Sequence, residues 1–334
     1  MMGVLLTDAD EGVHEKGEQT NWNESRYVDF WDANQRVGGW FRIGNRPNAG
    51  WAEMSACITL PDGKTAFMFE RPKITANTLH SGNQQWEIVQ PWVANRVQYR
   101  GELMVMDDPW ILIDPKRAFE TAPRAFADID LVCRSTGLKT VMGFDQDHID
   151  KIFLPGQAGF HYQHLARTTG TVRVGEHCWQ VAGFGGKDHS WGPRNWHAKI
   201  YLRWLIAALD DDNGFMLVRA VGPTKKTRSG FVLDKGKFHL VDDFDMKNHY
   251  AGEPNFELRK VELRIRSGER IWDAVGTPQS WLPLRHKQHN EKGEEAILRI
   301  VKSPTDWQMA GRHGEGMCEY HDLMVDERPI GLED

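Results

Sequence analysis

The chain has 334 residues, with 41 basic against 47 acidic side chains and a formal net charge of -6. That length exceeds one ordinary hydrophobic core, so two domains or one large β unit are expected, and either can enclose a sizeable pocket. The basic residues are scattered among acids rather than gathered into a stripe, which argues against a nucleic-acid partner. The opening apolar run stops at Thr7-Asp8, too short for a signal peptide, and no segment reaches the roughly 20 apolar residues of a membrane span. Cys57, Cys133, Cys178 and Cys318 stand far apart without a CxxC pair, against a disulfide framework or a zinc ribbon. A soluble, reduced, cytoplasmic protein without stable membrane insertion is expected. Its 14 Trp beside only 6 Tyr suit an interior that receives a bulky hydrophobic ligand.

Helical periodicity is scarce, and most apolar segments are short, β-branched or aromatic and bounded by Gly, Pro, Asn or Asp, which predicts an all-β fold. Residues 1–21 read as polar and irregular, and Trp22, Tyr27, Phe30 and Trp31 as a short helix laid on a barrel. Strands are expected at 38–43, 52–60, 65–70, 86–90, 96–106 and 127–133, with Pro61-Asp62-Gly63-Lys64 as a hairpin turn. A second set is expected at 159–167, 170–174, 177–181, 196–209, 214–221, 231–240, 256–266, 271–278, 296–302 and 316–325. Residues 56–69 echo 207–218, each a strand, an acidic turn and a strand. Two related β domains are therefore predicted, at 1–153 and 154–334.

The densest chemistry lies at Asp188-His189-Ser190-Trp191-Gly192-Pro193-Arg194-Asn195-Trp196, with His161-Tyr162-Gln163-His164 and Trp179 upstream. Side chains two apart share a face of a strand, so His189 and Trp191 point one way, and Asp188 and Ser190 the other. By the same parity His161 and Gln163 oppose Tyr162 and His164, while Trp196 and Trp204 share the apolar face of the next strand. One barrel lumen is expected to collect His189, Trp191, Trp196, Trp204 and either His161 or His164. An imidazolium or a protonated carboxylic acid in such a pocket can protonate an alkene or a leaving hydroxyl, and indole faces steady the resulting cation by about 0.5–2 kcal/mol each. Asp188 and Arg194 read either as part of this apparatus or as a clamp that aims it.

Gly183-Phe184-Gly185-Gly186-Lys187-Asp188-His189-Ser190-Trp191 resembles the Gly-rich strand ending in Asp-His-Glu/Gln-Trp of the carotenoid 1,2-hydratase (hydroxyneurosporene synthase) and AttH lipocalin-like superfamily. The flanks are similar too: Gly170 to Gly175 resembles that family's short hairpin, 208–217 its strand pair, and Gly314 to Tyr320, containing Glu319, its closing strand. The resemblance implies two tandem lipocalin-like antiparallel β-barrels and members that hydrate, cyclise or bind unsaturated isoprenoids and polyketides. Carried over by position, His189 and Trp191 would protonate an alkene and stabilise a cation. Ser190 replaces the usual Glu or Gln, and Leu217, Val218 and Arg219 stand where the hydratases place a tyrosine and an aspartate on a later strand. These departures direct the expectation away from carotenoids toward another hydrophobic substrate, such as a terpenoid, steroid or polyketide.

Parity sends successive histidines to opposite faces and no His-Glu-x-x-His motif completes a site, so no metal is expected; no helix follows the Gly run, so neither is a dinucleotide. The sequence thus predicts a cofactor-free, metal-free lyase or isomerase (hydratase, dehydratase or cyclase). Its catalytic residues would be His189, Asp188 and Trp191, with Trp196, Arg194, His161, His164, Trp204, Trp179 and Glu319 around the substrate. The rival expectation is a non-catalytic binding protein for a hydrophobic small molecule. Homo-oligomerisation is compatible with either.

Overall fold

A computed structural model describes residues 6–135, 154, 159–195, 199–289 and 295–333. The all-β prediction holds. The first sheet contains β1 (Trp22–Asp32), β2 (Val37–Arg46), β3 (Trp51–Thr59), β4 (Thr65–Glu70), β5 (His80–Ser81), β6 (Gln84–Gln90), β7 (Ala94–Met106), β8 (Arg124–Ser135), β9 (Phe160–Val174) and β10 (His177–Pro193). The second contains β11 (Tyr201–Asp210), β12 (Asn213–Val221), β13 (Lys226–Asp234), β14 (Lys237–Leu240), β15 (Asp243–Tyr250), β16 (Leu258–Ser267), β17 (Arg270–Pro278), β18 (Leu282–His289), β19 (Glu295–Met309), β20 (Arg312–Val325) and β21 (Arg328–Pro329). Trp22–Asp32, expected as a short helix, is β1: its side chains alternate between two buried faces, which a strand between two packed layers satisfies and a surface helix does not. One short helix, α1 (Pro115–Thr121), follows a 3₁₀ turn at Pro109–Ile113; the Asp108 and Asp114 side chains accept the Trp110 and Arg117 amides and cap both. Among the described residues no helix is long and apolar enough to cross a membrane.

Pairing is antiparallel throughout. The first sheet runs β4-β3-β2-β1-β10-β9-β8-β7-β6-β5, and β4 also pairs β7 through Thr65–Met106, Ala66–Val105 and Phe67–Met104, which returns the strand path on itself. The second runs β14-β13-β12-β11-β20-β19-β17-β16-β15, with β18 on β19 and β21 on β20. The change of sheet therefore falls between Pro193 and Tyr201, not at residue 153: β9 and β10 pair with β8 and β1 of the first sheet rather than with anything after residue 200. Strand order also reveals a repeat. In each sheet four consecutive strands meet a later run head to head, β1 against β10 and β11 against β20. By this order β11 answers to β1. The sequence echo between 56–69 and 207–218, although both are hairpins, is displaced by two strands from it.

Three apolar layers follow. Val28, Phe30, Phe41, Met54, Val97 and Leu131 fill the inner face of the first sheet, and Leu205, Phe215, Val232, Val261 and Trp307 that of the second. Between the sheets lie Tyr27, Trp40 and Phe67 from one side and Leu202, Trp204, Ile206 and Met216 from the other. The Gly run of β10 serves this contact. A methyl group on Gly186 would come within 2.9 Å of Ile206 Cδ1, so the close approach of the second sheet needs a residue without Cβ there; one on Gly185 would come within 2.3 Å of the Asp29 carbonyl oxygen of β1, in the same sheet. Polar ties pin the sheets together: Trp31 Nε1 donates to Asp306 Oδ1 at 2.7 Å, and Glu315 accepts the amides of Ala33 and Phe184 at 2.8 and 3.1 Å.

Candidate active site between the two sheets

A cavity of about 490 Å³ opens between the sheets, within the range of small-molecule sites. Tyr27, Trp40, Phe67, Leu202 and Trp204 supply apolar wall, and Leu112, Pro115 and Phe119 of the 3₁₀ turn and α1 contribute to its lining. The cross-strand register explains how β1, β9 and β10 present polar groups to it. Ser25 lies opposite Ser190 and Ser190 opposite His161, while Tyr27 lies opposite Asp188 and Asp188 opposite Gln163. Directly opposed residues share a face, so these two rows look into the cavity.

Asp188 and His161 form the sharpest polar feature of that wall. The His161 Nε2 and an Asp188 carboxylate oxygen are hydrogen-bonded, and Gln163 Nε2 donates to the same oxygen at 2.9 Å. Burial works to raise the Asp188 pKa, but the charge and hydrogen bond of His161, then Gln163 and Arg194, hold the carboxyl below its ordinary value. Arg194 donates to Ser190 Oγ at 3.0 Å. A carboxylate that orients an imidazole beside an apolar void is a proton-transfer arrangement.

The facing wall repeats the pattern. Trp204 lies opposite Glu319 and Glu319 opposite Lys302, the counterpart of the Tyr27, Asp188 and Gln163 row. Lys302 and His321 both bond to Glu319, and the Lys302 ammonium sits 4.2 and 4.9 Å from the ring centres of Tyr27 and Trp40. Burial opposes ionisation of Glu319, yet the Lys302 charge and the His321 bond keep its pKa low. His321 is pushed down to about 3 by burial and by the Lys199 charge, against the pull of Glu319. Lys199, buried in the segment between the sheets, falls to about 7, through burial first and then Arg194.

His189 lies on the other face. It stands in the row of Arg26 and Tyr162, turned into the first sheet, and is 0 % exposed. Its Nε2 contacts Glu24 Oε1 at 2.8 Å and its Nδ1 the Tyr162 hydroxyl at 3.1 Å. Burial and the Arg26 charge push its pKa down to about 3, outweighing Glu24. Lys187 donates to both Glu11 oxygens at 2.6 Å, and Tyr162 and Asn95 bond the same carboxylate. The segment before β1 closes this end of the sheet, with His14 Nδ1 at 3.0 Å from Glu24 Oε1 and its ring stacked at 3.8 Å on Trp191. The ligand atoms of His14, Glu24 and His189 lie within 4.8 Å of one another, a grouping hidden from strand parity because His14 precedes β1. Each is already hydrogen-bonded, and Arg26 Nη2 stands 3.3 Å from Glu24 Oε1, a positive charge that opposes a cation there.

The expected residues are thus divided. Asp188, His161, Arg194, Trp204 and Glu319 line the cavity. His189, Trp191 and His164 face the interior of the first sheet and Trp179 packs against its apolar core, whereas Trp204 and His161 line the cavity, so the single lumen expected to collect His189 and Trp191 with Trp204 is corrected: the face of β10 that carries His189 is turned away from the second sheet. Trp196 lies outside the described residues. Sequence reasoning missed Tyr27, Trp40, Lys199, Lys302 and His321. For Tyr27 and His321 the available signal was parity on β1 and β20, and for Trp40 and Lys302 parity on β2 and β19; it becomes informative once the register is known, and Lys199 lies outside the strands.

In fold, the chain is an all-β protein of two large antiparallel sheets. It is similar to a candidate AttH protein from Nitrosomonas europaea (14% identity, 96% of this chain and 99% of the other covered, TM-score 0.58). It is similar also to CghA in complex with Sch210972 (12%, 91% and 89%, 0.57) and to kievitone hydratase from Nectria haematococca (9%, 91% and 88%, 0.51). No curated protein matches it by sequence. The chain belongs to the DUF7064 family, described as a domain of unknown function, whose model matches residues 7–324.

Proposed function

We propose that the protein is a lyase or isomerase of the hydratase or cyclase kind, acting on an unsaturated hydrophobic small molecule held between the two sheets. The observation that carries this reading is the hydrogen-bonded Asp188 and His161 pair on the wall of an aromatic cavity. In the hydration direction, protonated His161 gives its proton to one alkene carbon while Asp188 remains anionic and holds the ring. Trp40 and Trp204 border the electron-poor carbon, and water adds there, returning a proton to His161. In a cyclisation, an internal alkene takes the place of water and a proton leaves the product cation. The similarity in fold to a hydratase, and to a protein whose structure holds a small-molecule ligand, supports the class of reaction.

The test starts from the ligand that co-purifies with the protein, identified by native mass spectrometry and incubated with enzyme in heavy-oxygen water. A hydratase incorporates the label or removes water, a cyclase changes retention without changing mass, and Asp188→Asn abolishes either conversion. Release of the ligand unchanged by the native protein would leave a binding protein and defeat the catalytic reading.

A further inference from the structure

Each wall of the cavity pairs a carboxylate with an imidazole, and the two imidazoles differ in what flanks them. His161 stands in a polar row, opposite Ser190, which in turn lies opposite Ser25. His321 stands in an apolar one: its cross-strand neighbours are Leu202 on β11 and Ile300 on β19, and all three residues line the cavity. His321 is only 2 % exposed, and its Nε2 is bonded to Glu319, two residues away on the same face of β20. That carboxylate also bonds the Lys302 ammonium, which helps keep it ionised. An ionised carboxylate only accepts, so Nε2 carries the hydrogen and Nδ1 is left with a lone pair. Leu202 and Ile300 offer it no side-chain donor, and Nδ1 has no hydrogen-bond partner among the described residues. Burial and the Lys199 charge push the ring's pKa down to about 3, so it is neutral. A buried acceptor left without a donor costs free energy, which a donor brought into the cavity recovers.

We infer that His321 is the proton acceptor of the site: through Nδ1 it takes the proton that the substrate or its attacking water gives up, from the wall facing Asp188 and His161. The inference rests on the cavity being the site of the hydration or cyclisation proposed above, and it assigns the second half of that reaction. A carbocation, or the oxonium formed when water adds to one, is a far stronger acid than an imidazolium. Even a weakly basic ring therefore suffices, provided that it is uncharged when the cation forms. In a cyclisation, a C–H bond beside the cationic carbon breaks, its electron pair closes the new alkene, and the proton goes to Nδ1. In a hydration, an O–H bond of the added water breaks, its electron pair stays on oxygen, and the proton again goes to Nδ1. Glu319 holds the imidazolium so formed until the proton returns through water to His161.

Nitrogen-15 NMR of the intact, histidine-labelled protein reads both ring nitrogens without a substrate, the His321 signals being those that vanish in His321→Asn or His321→Phe. At neutral pH, Nε2 is expected to carry the hydrogen and Nδ1 to be bare. Titration with phenol, a small aromatic O–H donor, should move the Nδ1 resonance upfield, and toluene, which has the same shape and no donor, should not. Phenol should bind about fivefold more weakly to His321→Phe, the worth of one neutral hydrogen bond, while toluene binds as before. Turnover of the small molecule that co-purifies with the protein then separates binding from proton transfer. His321→Asn keeps an acceptor near the former Nδ1 but cannot take a proton, so KM should change little while kcat falls by about 10²-fold or more. A hydrogen on Nδ1, or phenol binding that leaves the Nδ1 resonance in place, would overturn the inference. Turnover that survives in His321→Asn but not in Asp188→Asn defeats this assignment alone, whereas a native protein that converts nothing defeats the catalytic reading with it.

Discussion

Two polar clusters lie back to back on β9 and β10, built from neighbouring residues and separated only by the thickness of a sheet. On the cavity face Asp188 and His161 border an aromatic void; on the inner face His189, Lys187 and Tyr162 are locked to Glu24 and Glu11, outside the lining of that void. The two carry similar side-chain types, so composition does not separate them. The void does: a titratable group serves chemistry only where a reacting atom can reach it, whereas the same group fully bonded inside a sheet holds structure. The second sheet reproduces the inner arrangement. Arg26 on β1 reaches the Gly12 carbonyl of the N-terminal segment, and Arg203, its counterpart on β11, reaches the Gly331 carbonyl at 2.8 Å and Asp322 at 2.7 Å. Each inner face is thus tied by a buried arginine to a terminal segment.

The contrast is most directly broken by exchanging the consequences of mutation on the two faces. Asp188→Asn and His161→Ala should each lower kcat by about 10²–10⁴-fold, the usual worth of a general acid or base, with a modest change in melting temperature; steady-state kinetics on the identified substrate would reveal an error if His189→Ala were the more damaging in turnover per folded molecule. On the inner face the loss is in stability. Glu11→Ala leaves the Lys187 ammonium buried without its carboxylate and should cost about 3–5 kcal/mol in urea unfolding, much of it recovered in Glu11→Leu with Lys187→Met.

Acid acts on the inner and facing-wall histidines ahead of the depressed carboxylates, while the Asp29 and Glu315 carboxyls, raised by burial to about 7, take up protons in the fold first and offset part of the loss. His164, His189 and His321 have folded pKa values of about 4, 3 and 3, below the ordinary 6.5, so the unfolded chain binds more protons as pH falls from 6.5. Stability then drops by up to about 1.4 kcal/mol per pH unit for each histidine. The depressed carboxyls of Glu11, Glu24 and Glu319 contribute stability that is present above their unfolded value of 4.5 and lost below it. A melting temperature that rose steadily as pH fell from 6.5 to the carboxylate range would contradict the burial of neutral histidines, since three of them outweigh the two raised carboxyls. Smaller still, Gly186→Val should cost about 1–3 kcal/mol by forcing the sheets apart, read by thermal melting. Arg264→Ala, which breaks an exposed pair with Asp273 at 3.1 Å, should change stability by less than about 1 kcal/mol.

Much of this molecule is legible in its residues taken in order. Short β-branched and aromatic runs between turn residues determine an all-β chain, and the period of two places 188 with 190 and 189 with 191 whatever the rest does. The Gly run before Asp188 marks close approaches, of the Ile206 and Met216 side chains at Gly186 and of the Trp31 and Asp29 backbone at Gly183 and Gly185. What tertiary structure alone decided is which face of β10 meets the cavity, because alternation assigns side chains to two faces but carries no information about what packs on each. It also decided that β9 and β10 pair with β8 and β1, and that Glu319, Lys302, His321 and Lys199 gather opposite Asp188 from distant points of the chain. Those partnerships depend on register between strands, a relation set by hydrogen bonding and packing across the sheet rather than by any spacing along one strand.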